Sequence, residues 1–512
     1  MIALLGSIRQ PLPVDPEPIE GPTVDWLALT PLLVLAGGAL VLLLVASFVR
    51  RRSANRLYTV LTCLFGLGAL GAAIPTWLEV TDPDRGPSST LQGAVGVDGF
   101  SMFMTFFIAA SVVLAALLAD DYLRREGLAS VEPYALLLLS ASGGLVMAHA
   151  NDLIVLFLGL EVLSIAAYVL AAMHRRRVAS QEAGMKYFVL GAFSSGFFLY
   201  GIALLYGATG TTSLVRVLEL FSTTALTDDG LVLAGLALVL VGLGFKVAAV
   251  PFHFWTPDVY QGSPSPIVAW MASGVKLAGF AGLIRVLVLG FQAYAVDWQP
   301  LVYGIAVATL ILGSVLAVVQ RDVKRMMAYS SIAHVGYVLV GVQAATAQGV
   351  EGALFYLAAY TFMIAGSFGV ITLVSRTGDI GHDLDDYRGL ARSRPGLTLA
   401  LAVFLFAQAG VPFTSGFFAK FYVITAAVDA GSYGLAIVAM LAAVVAAYLY
   451  LRIVVSMYMA DTEGAAAPAV RIPAGAGLAL ATCVIVTVGV GFWPGSFADL
   501  ARDAVPVLTA LG

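Results

Sequence analysis

The chain has 512 residues, 60% of them apolar and only 11% charged, where soluble chains average near 25% charged. That composition excludes a soluble enzyme, and a net charge of −4 without a basic tail argues against nucleic acid as a partner. The two cysteines, Cys63 and Cys483, stand alone in apolar runs with no CxxC, which excludes cysteine-held iron–sulfur clusters and zinc fingers and leaves no sign of a metal site.

Residues 1–25 read as an extramembrane tail, with no basic start and five prolines within the first 22 positions. Fourteen apolar stretches long enough to cross ~30 Å of hydrocarbon follow. They fall near 26–49, 57–79, 100–119, 132–149, 152–173, 183–207, 230–262, 266–290, 300–319, 325–343, 351–375, 397–430, 432–458 and 475–494. The seventh and twelfth are too long for one straight helix, and each carries an internal proline, Pro251 and Pro412, so both predict broken helices. No stretch alternates with period two, which argues against a β-barrel. A GxGxxG match at Gly66, Gly68 and Gly71 lies inside the second span. Without a preceding strand it predicts helix packing rather than a dinucleotide site.

Basic residues sort by loop. Eighteen arginines and lysines follow odd-numbered spans, whereas Arg9, Arg85, Arg216 and Arg502 are assigned to the other side. The bias predicts cytoplasmic loops after odd spans and both termini outside the cytoplasm. Of only five lysines, Lys186, Lys246, Lys276 and Lys420 fall within spans, while most arginines sit in loops or at helix ends. Arginine keeps its charge in any setting, whereas a desolvated lysine can be neutral, so the division points to proton chemistry. Lys186, three residues from its span's start, fits snorkelling equally well. Glu161 is the one carboxylate placed mid-span. A lysine on a neighbouring helix is its natural partner, with an attraction of about 4 kcal/mol at ~4 Å and an effective dielectric of ~20. His253 and His334 also lie at membrane depth as candidate relay groups, while His149, His174 and His382 read as packing residues.

The segments around Pro251 and Pro412 share VPF with a lysine nearby, Lys246 and Lys420. Two broken spans at corresponding places predict inverted repeats. The expected organisation is therefore an all-α membrane protein of about 14 transmembrane helices. It comprises three leading spans over 26–119, a five-helix repeat over 132–290, a second, inverted one over 300–458, and a last span and tail over 475–512. A weaker echo, LSIAAYVL against SSIAHVGYVL, would set Glu161 and His334 in comparable places.

Three blocks, GFKVAAVPFHFWTPDVYQGSPSPIVAWMASGVKLAGF, QRDVKRMMAYSSIAHVGY and AGVPFTSGFFAKFYV, resemble the antiporter-like membrane subunits of respiratory complex I, the NADH-quinone oxidoreductase. PDVYQGSP together with DVKRMMAYSSIAHVGY looks most like that family's subunit-N branch, the bacterial counterpart of mitochondrial NADH dehydrogenase subunit 2. The resemblance spans the fourth to thirteenth stretches. It implies a proton-translocating, non-redox subunit with a central axis of Glu161, Lys246, Lys276 and Lys420, and with Lys186 as the matching lysine of the sixth span. It also implies that NADH, FMN, iron–sulfur clusters and quinone belong to partner subunits, with no cofactor on this chain. The implied partners are the other antiporter-like subunits and small membrane subunits, in a bacterial inner membrane. A subunit of a multi-subunit cation/proton antiporter, which shares fold and lysines, is the alternative.

Overall fold

A computed structural model describes residues 23–49, 55–223, 229–459 and 472–505. The N-terminal tail up to residue 22 lies outside them, as do Arg9, Arg50, Arg51, Arg52 and Arg471 used for orientation. In chain order the helices are α1 (Trp26–Phe48), α2 (Asn55–Val80), α3 (Gly99–Arg125), α4 (Glu132–His149), α5 (Leu153–Ala171), α6 (Val178–Thr209) and α7 (Leu214–Thr223). Then come α8 (Gly230–Val247), α9 (Trp255–Gly262), α10 (Ser265–Ala272), α11 (Gly274–Ile284), α12 (Ala295–Val318), α13 (Val323–Gln343) and α14 (Ala347–Val374). The series ends with α15 (Leu390–Ser393), α16 (Pro395–Ala409), α17 (Ser415–Asp429), α18 (Tyr433–Met459), α19 (Ala474–Phe492) and α20 (Pro494–Asp503). A short antiparallel hairpin, β1 (Ser88–Thr90) and β2 (Val95–Val97), precedes α3.

Among the described residues, eleven helices are long and apolar enough to cross a bilayer, against fourteen expected. The other three expected spans fall on α4, α13 and the α16–α17 pair. The first two reach 18 and 21 residues but are more polar, and the pair consists of two 15-residue pieces. The multi-pass membrane character stands.

Side-chain caps set several helix starts. Asp98, Asp152, Asp322 and Thr346 each accept a backbone N–H from the first turn of α3, α5, α13 and α14. The breaks at Pro251 and Pro412 are present: α8 ends at Val247, α9 begins at Trp255, α16 ends at Ala409 and α17 begins at Ser415. The eighth span, expected as one helix, is also interrupted. Ser273 divides α10 from α11 at φ −107°, ψ −84°, and a π-helical turn, Arg285–Gly290, closes it.

This interrupted span and α14 form the centre, with their most apolar stretches wholly buried. Around them α1, α2, α12, α18 and α19 keep much of their apolar surface exposed, as lipid-facing helices do. Gly66 lets α2 approach α3, since a Cβ there would lie 2.8 Å from Val113 Cγ2, which agrees with the packing reading of the GxGxxG match.

Candidate functional site

Three lysines lie in the core at 2%, 3% and 7% exposure: Lys246, Lys276 and Lys420. Each stands beside a helix break. Lys246 is the penultimate residue of α8, Lys276 the third of α11, and Lys420 faces the end of α16.

Lys246 Nζ donates to Ser164 Oγ at 2.8 Å and Tyr187 Oη at 3.3 Å, and lies 5.7 and 5.4 Å from the Tyr168 and Tyr187 ring centres. Tyr187 stacks on Trp255, whose indole N–H holds the Phe245 carbonyl, so the start of α9 pins the end of α8. The direct Glu161–Lys246 contact expected at ~4 Å is not formed. Ser164, one turn further along α5, takes the ammonium instead. Glu161 is half-buried, within electrostatic reach of Lys246, with Oε1 enclosed and unpartnered. A cavity of about 10 Å³ beside Lys246, lined by Ser164, Ser194 and Ser195, is at the lower limit for one water. The buried, unpartnered Ser194 hydroxyl would supply a partner for one.

Lys276 Nζ donates to Ser331 Oγ at 2.5 Å and to the Ser331 carbonyl at 2.9 Å. The neighbouring Ser330 hydroxyl is 2.6 Å from Tyr450 Oη and 3.3 Å from Gln408 Oε1. His334 lies between Tyr450 Oη, 3.1 Å from Nε2, and Tyr356 Oη, 2.7 Å from Nδ1. Lys420 Nζ closes the series by donating to the carbonyls of Gln408 and Ala409 at 2.8 and 2.9 Å, 4.8 Å above the Tyr337 ring. His334 joins Ser330 through Tyr450, while Lys276 and Lys420 meet this network through the main chain, at the Ser330–Ser331 step and at the Gln408 carbonyl. Lys246 adjoins it through packing, since a Cβ on Gly279, one turn from Lys276, would lie 3.4 Å from Lys246 Cγ.

The SIA echo has a different meaning from the one expected. Its matched serines, Ser164 and Ser331, each accept from a buried lysine, and Glu161 and His334 are not equivalent. Sequence reasoning passed over Ser330, Ser331, Gln408, Tyr450 and Tyr356. The spacing of Ser330, His334 and Tyr337 along one face of α13 was the available signal.

The remaining candidates sit elsewhere. Lys186 is 40% exposed and bonds Asp258 at 2.6 Å and Glu182 at 2.7 Å, outside the buried series. His253 is half-buried in the α8–α9 break, with Nδ1 unpartnered. Pro251 and Pro412 occupy the breaks themselves.

Two buried ion clusters went unread. Arg285 is fully buried within a span, an exception to the placement of most arginines in loops and at helix ends. It donates to both Asp98 oxygens at 2.9 and 3.0 Å, to Asn151 Oδ1 at 2.9 Å and to the Ala148 carbonyl at 2.5 Å. The second cluster surrounds Asp379 in the loop after α14. Asp379 accepts from Arg177 at 2.9 Å, Lys324 at 3.1 Å and Ser265 at 2.9 Å, with His382 Nε2 3.1 Å away. Burial alone would raise its carboxyl, but Lys324, His382 and Arg177 hold it well below the usual carboxylate range. Glu126, buried nearby, accepts from Gly378 N–H at 2.7 Å and faces His174 at 3.4 Å, so His174 and His382 both serve ion clusters. Among the described residues no group of three or more His, Cys, Asp or Glu is placed to hold a metal ion.

A helix bundle with lysines buried at helix breaks defines the antiporter-like class, and the family described as NADH:quinone oxidoreductase/Mrp antiporter, TM, matches residues 150–447. NADH-quinone oxidoreductase subunit N of Trichlorobacter lovleyi is 43% identical over 442 residues, covering 86% of this chain and 89% of the relative. Subunit N 2 of Roseiflexus castenholzii is 43% identical over 500 residues, covering 94% and 97%. A chain of respiratory complex I from Thermus thermophilus superposes with a TM-score of 0.76 at 32% identity, over 92% of this chain and 99% of that one. The chain belongs to the NADH-quinone oxidoreductase subunit N family.

Proposed function

We propose that this chain is a proton-translocating membrane-arm subunit of an NADH:quinone oxidoreductase, with Glu161, Lys246, Lys276, His334 and Lys420 as its axis. The observation that carries the reading is a set of polar groups inside an apolar core: Lys276 holds Ser331, the adjacent Ser330 bonds Tyr450 and the Gln408 side chain, and the Gln408 backbone carbonyl accepts from Lys420. Buried lysines are costly in a membrane, and a chain of exchangeable groups gives them a use. Glu161 is half-buried on α5, one turn before Ser164. A change there would disturb Lys246 through Ser164, and the proton would pass by water towards Lys276, with His253 at the α8–α9 break as a candidate relay. Lys186, in its surface ion pairs, is assigned no transfer step.

The same reading takes the chain as fourteen crossings in two inverted repeats, 132–290 and 300–458, with loops after odd spans in the cytoplasm of a bacterial cell and both termini outside. It places NADH, FMN, iron–sulfur clusters and quinone in partner subunits, and no cofactor here. Its neighbours in the inner membrane are the other antiporter-like and small membrane subunits. The cation/proton antiporter alternative shares the family, but the relatives at 43% identity carry the oxidoreductase name.

Lys246 tests the reading. Lys246→Arg keeps the charge but cannot release its proton, and Lys246→Met keeps length without charge. Both should cut quinone-coupled proton uptake in vesicles at least tenfold per assembled complex. Full uptake in Lys246→Arg would make the lysine a static packing charge and overturn the axis.

A further inference from the structure

We propose that the cleft where α3 and α5 end and α4 begins, on the arginine-rich side, binds an anionic phospholipid by its phosphodiester. The cleft has a volume of about 630 Å³, the size of a small-molecule site. Its wall is apolar, formed by Leu136, Val169, Leu170 and Met173, and its mouth carries Arg175 and Arg176. Both arginines are exposed and, among the described residues, neither has a carboxylate within 4 Å. Nearby arginines differ: Arg124 holds Asp120, Arg125 holds Glu126, and Arg177 holds Asp379. The Arg176 guanidinium lies over Gly127, where a Cβ would be 3.9 Å from Nη1, so its charge stands at the opening.

The depth fits a lipid. Helix α5 ends at Ala171, which places Arg175 and Arg176 just beyond the hydrocarbon boundary, at headgroup level. Below them the exposed residues Val169, Ile165, Val162 and Leu158 continue along α5 as a track for an acyl chain. The two guanidiniums, with no carboxylate within 4 Å among the described residues, give the mouth its positive charge. That complements one phosphodiester whose headgroup adds no positive charge, as in phosphatidylglycerol. Guanidinium forks match phosphate oxygens.

The test uses the whole complex, purified in detergent and given phosphatidylglycerol with a photoreactive acyl chain. Label should map to the Leu136 and Val169–Met173 peptides of this chain. At limiting lipid it should fall about fivefold for each arginine removed in Arg175→Gln and Arg176→Gln. Arg124→Gln, a paired arginine outside the cleft, should leave it unchanged. Equal labelling in the double variant, an equal loss in Arg124→Gln, or equal labelling by a phosphatidylcholine probe would overturn the proposal. Displacement by millimolar inorganic phosphate would make this a free-anion site and also overturn it. Absence of label in the wild-type complex would mean that a neighbouring subunit fills the cleft, and would overturn the lipid site as well.

Discussion

Lys246 is held by two neutral hydroxyls, Ser164 and Tyr187, and not by a carboxylate. A hydrogen bond to a charged group contributes about 1.5–3 kcal/mol, so these hydroxyls set how readily the ammonium stays where it is. Ser164→Ala deletes the shorter bond and should lower quinone-coupled proton uptake about tenfold while assembly persists, since Tyr187 remains. Glu161→Gln should assemble normally and pump less, because shape is kept while the charge that acts on Lys246 is lost. Uptake at the wild-type rate in both variants would remove Ser164 and Glu161 from the path. The lysines and Glu161 were legible because charge is rare in this chain and costly at membrane depth. The serines, Gln408 and the tyrosines were not, since neutral polar groups are common in apolar helices and only tertiary placement makes them a series. Arg285 was lost for another reason: its partner Asp98 lies 187 positions away, at the cap of α3.

The breaks show how an element creates its own binding groups. In a continuous helix the Gln408 carbonyl would accept from the N–H of residue 412, but Pro412 has none. Lys420 supplies the missing donor, and it also takes the Ala409 carbonyl at the negative end of α16. Gly416 lets α17 begin directly against that end, since a Cβ there would run into the Ala407 carbonyl and come 3.1 Å from Met363 Sδ. Gly416→Ala should therefore cost at least ~1–3 kcal/mol and move Lys420 off its carbonyls. The expected result is a lower melting temperature of the complex and weaker pumping. Gly396→Ala, with nothing within 4 Å of its added methyl, serves as the neutral control. A Gly416→Ala complex that melts and pumps like wild type would mean that α16 and α17 can separate at no cost. Pro251 and Pro412 made their breaks readable. The Ser273 break was not: the Trp270 ring, held through its indole N–H by Ser140 130 positions away, occupies the place where a Gly274 side chain would stand.

Across the whole molecule, orientation and the joining of distant segments make separate demands. Arg216 and Arg376, both exposed, fall on opposite sides of the proposed topology. With Cys63 and Cys483 replaced, Arg216→Cys should react with an impermeant thiol reagent applied outside intact cells, and Arg376→Cys only after lysis. Outside labelling of residue 376 would invert the arrangement. Composition and basic-residue bias could suggest such a topology, but not what ties it together on the Arg376 side. There Asp379 gathers Arg177 before α6, Ser265 at the start of α10 and Lys324 at the start of α13, groups drawn from up to 202 positions away. Lys324 and the Asp379 side chain are fully buried, so removing the carboxylate strands an ammonium. Asp379→Asn should cost about 3–5 kcal/mol at neutral pH. The sign of the pH dependence follows from a carboxyl held below its unfolded value near 3.9. The stabilisation is fully present above that value and is lost as pH falls from it towards the folded value. The melting advantage of wild type over Asp379→Asn should therefore hold from pH 7 to about 5 and narrow by about 1 kcal/mol by pH 3. A gap that stays constant over that range would mean that the loop is held by the shape of the side chain and not by its charge.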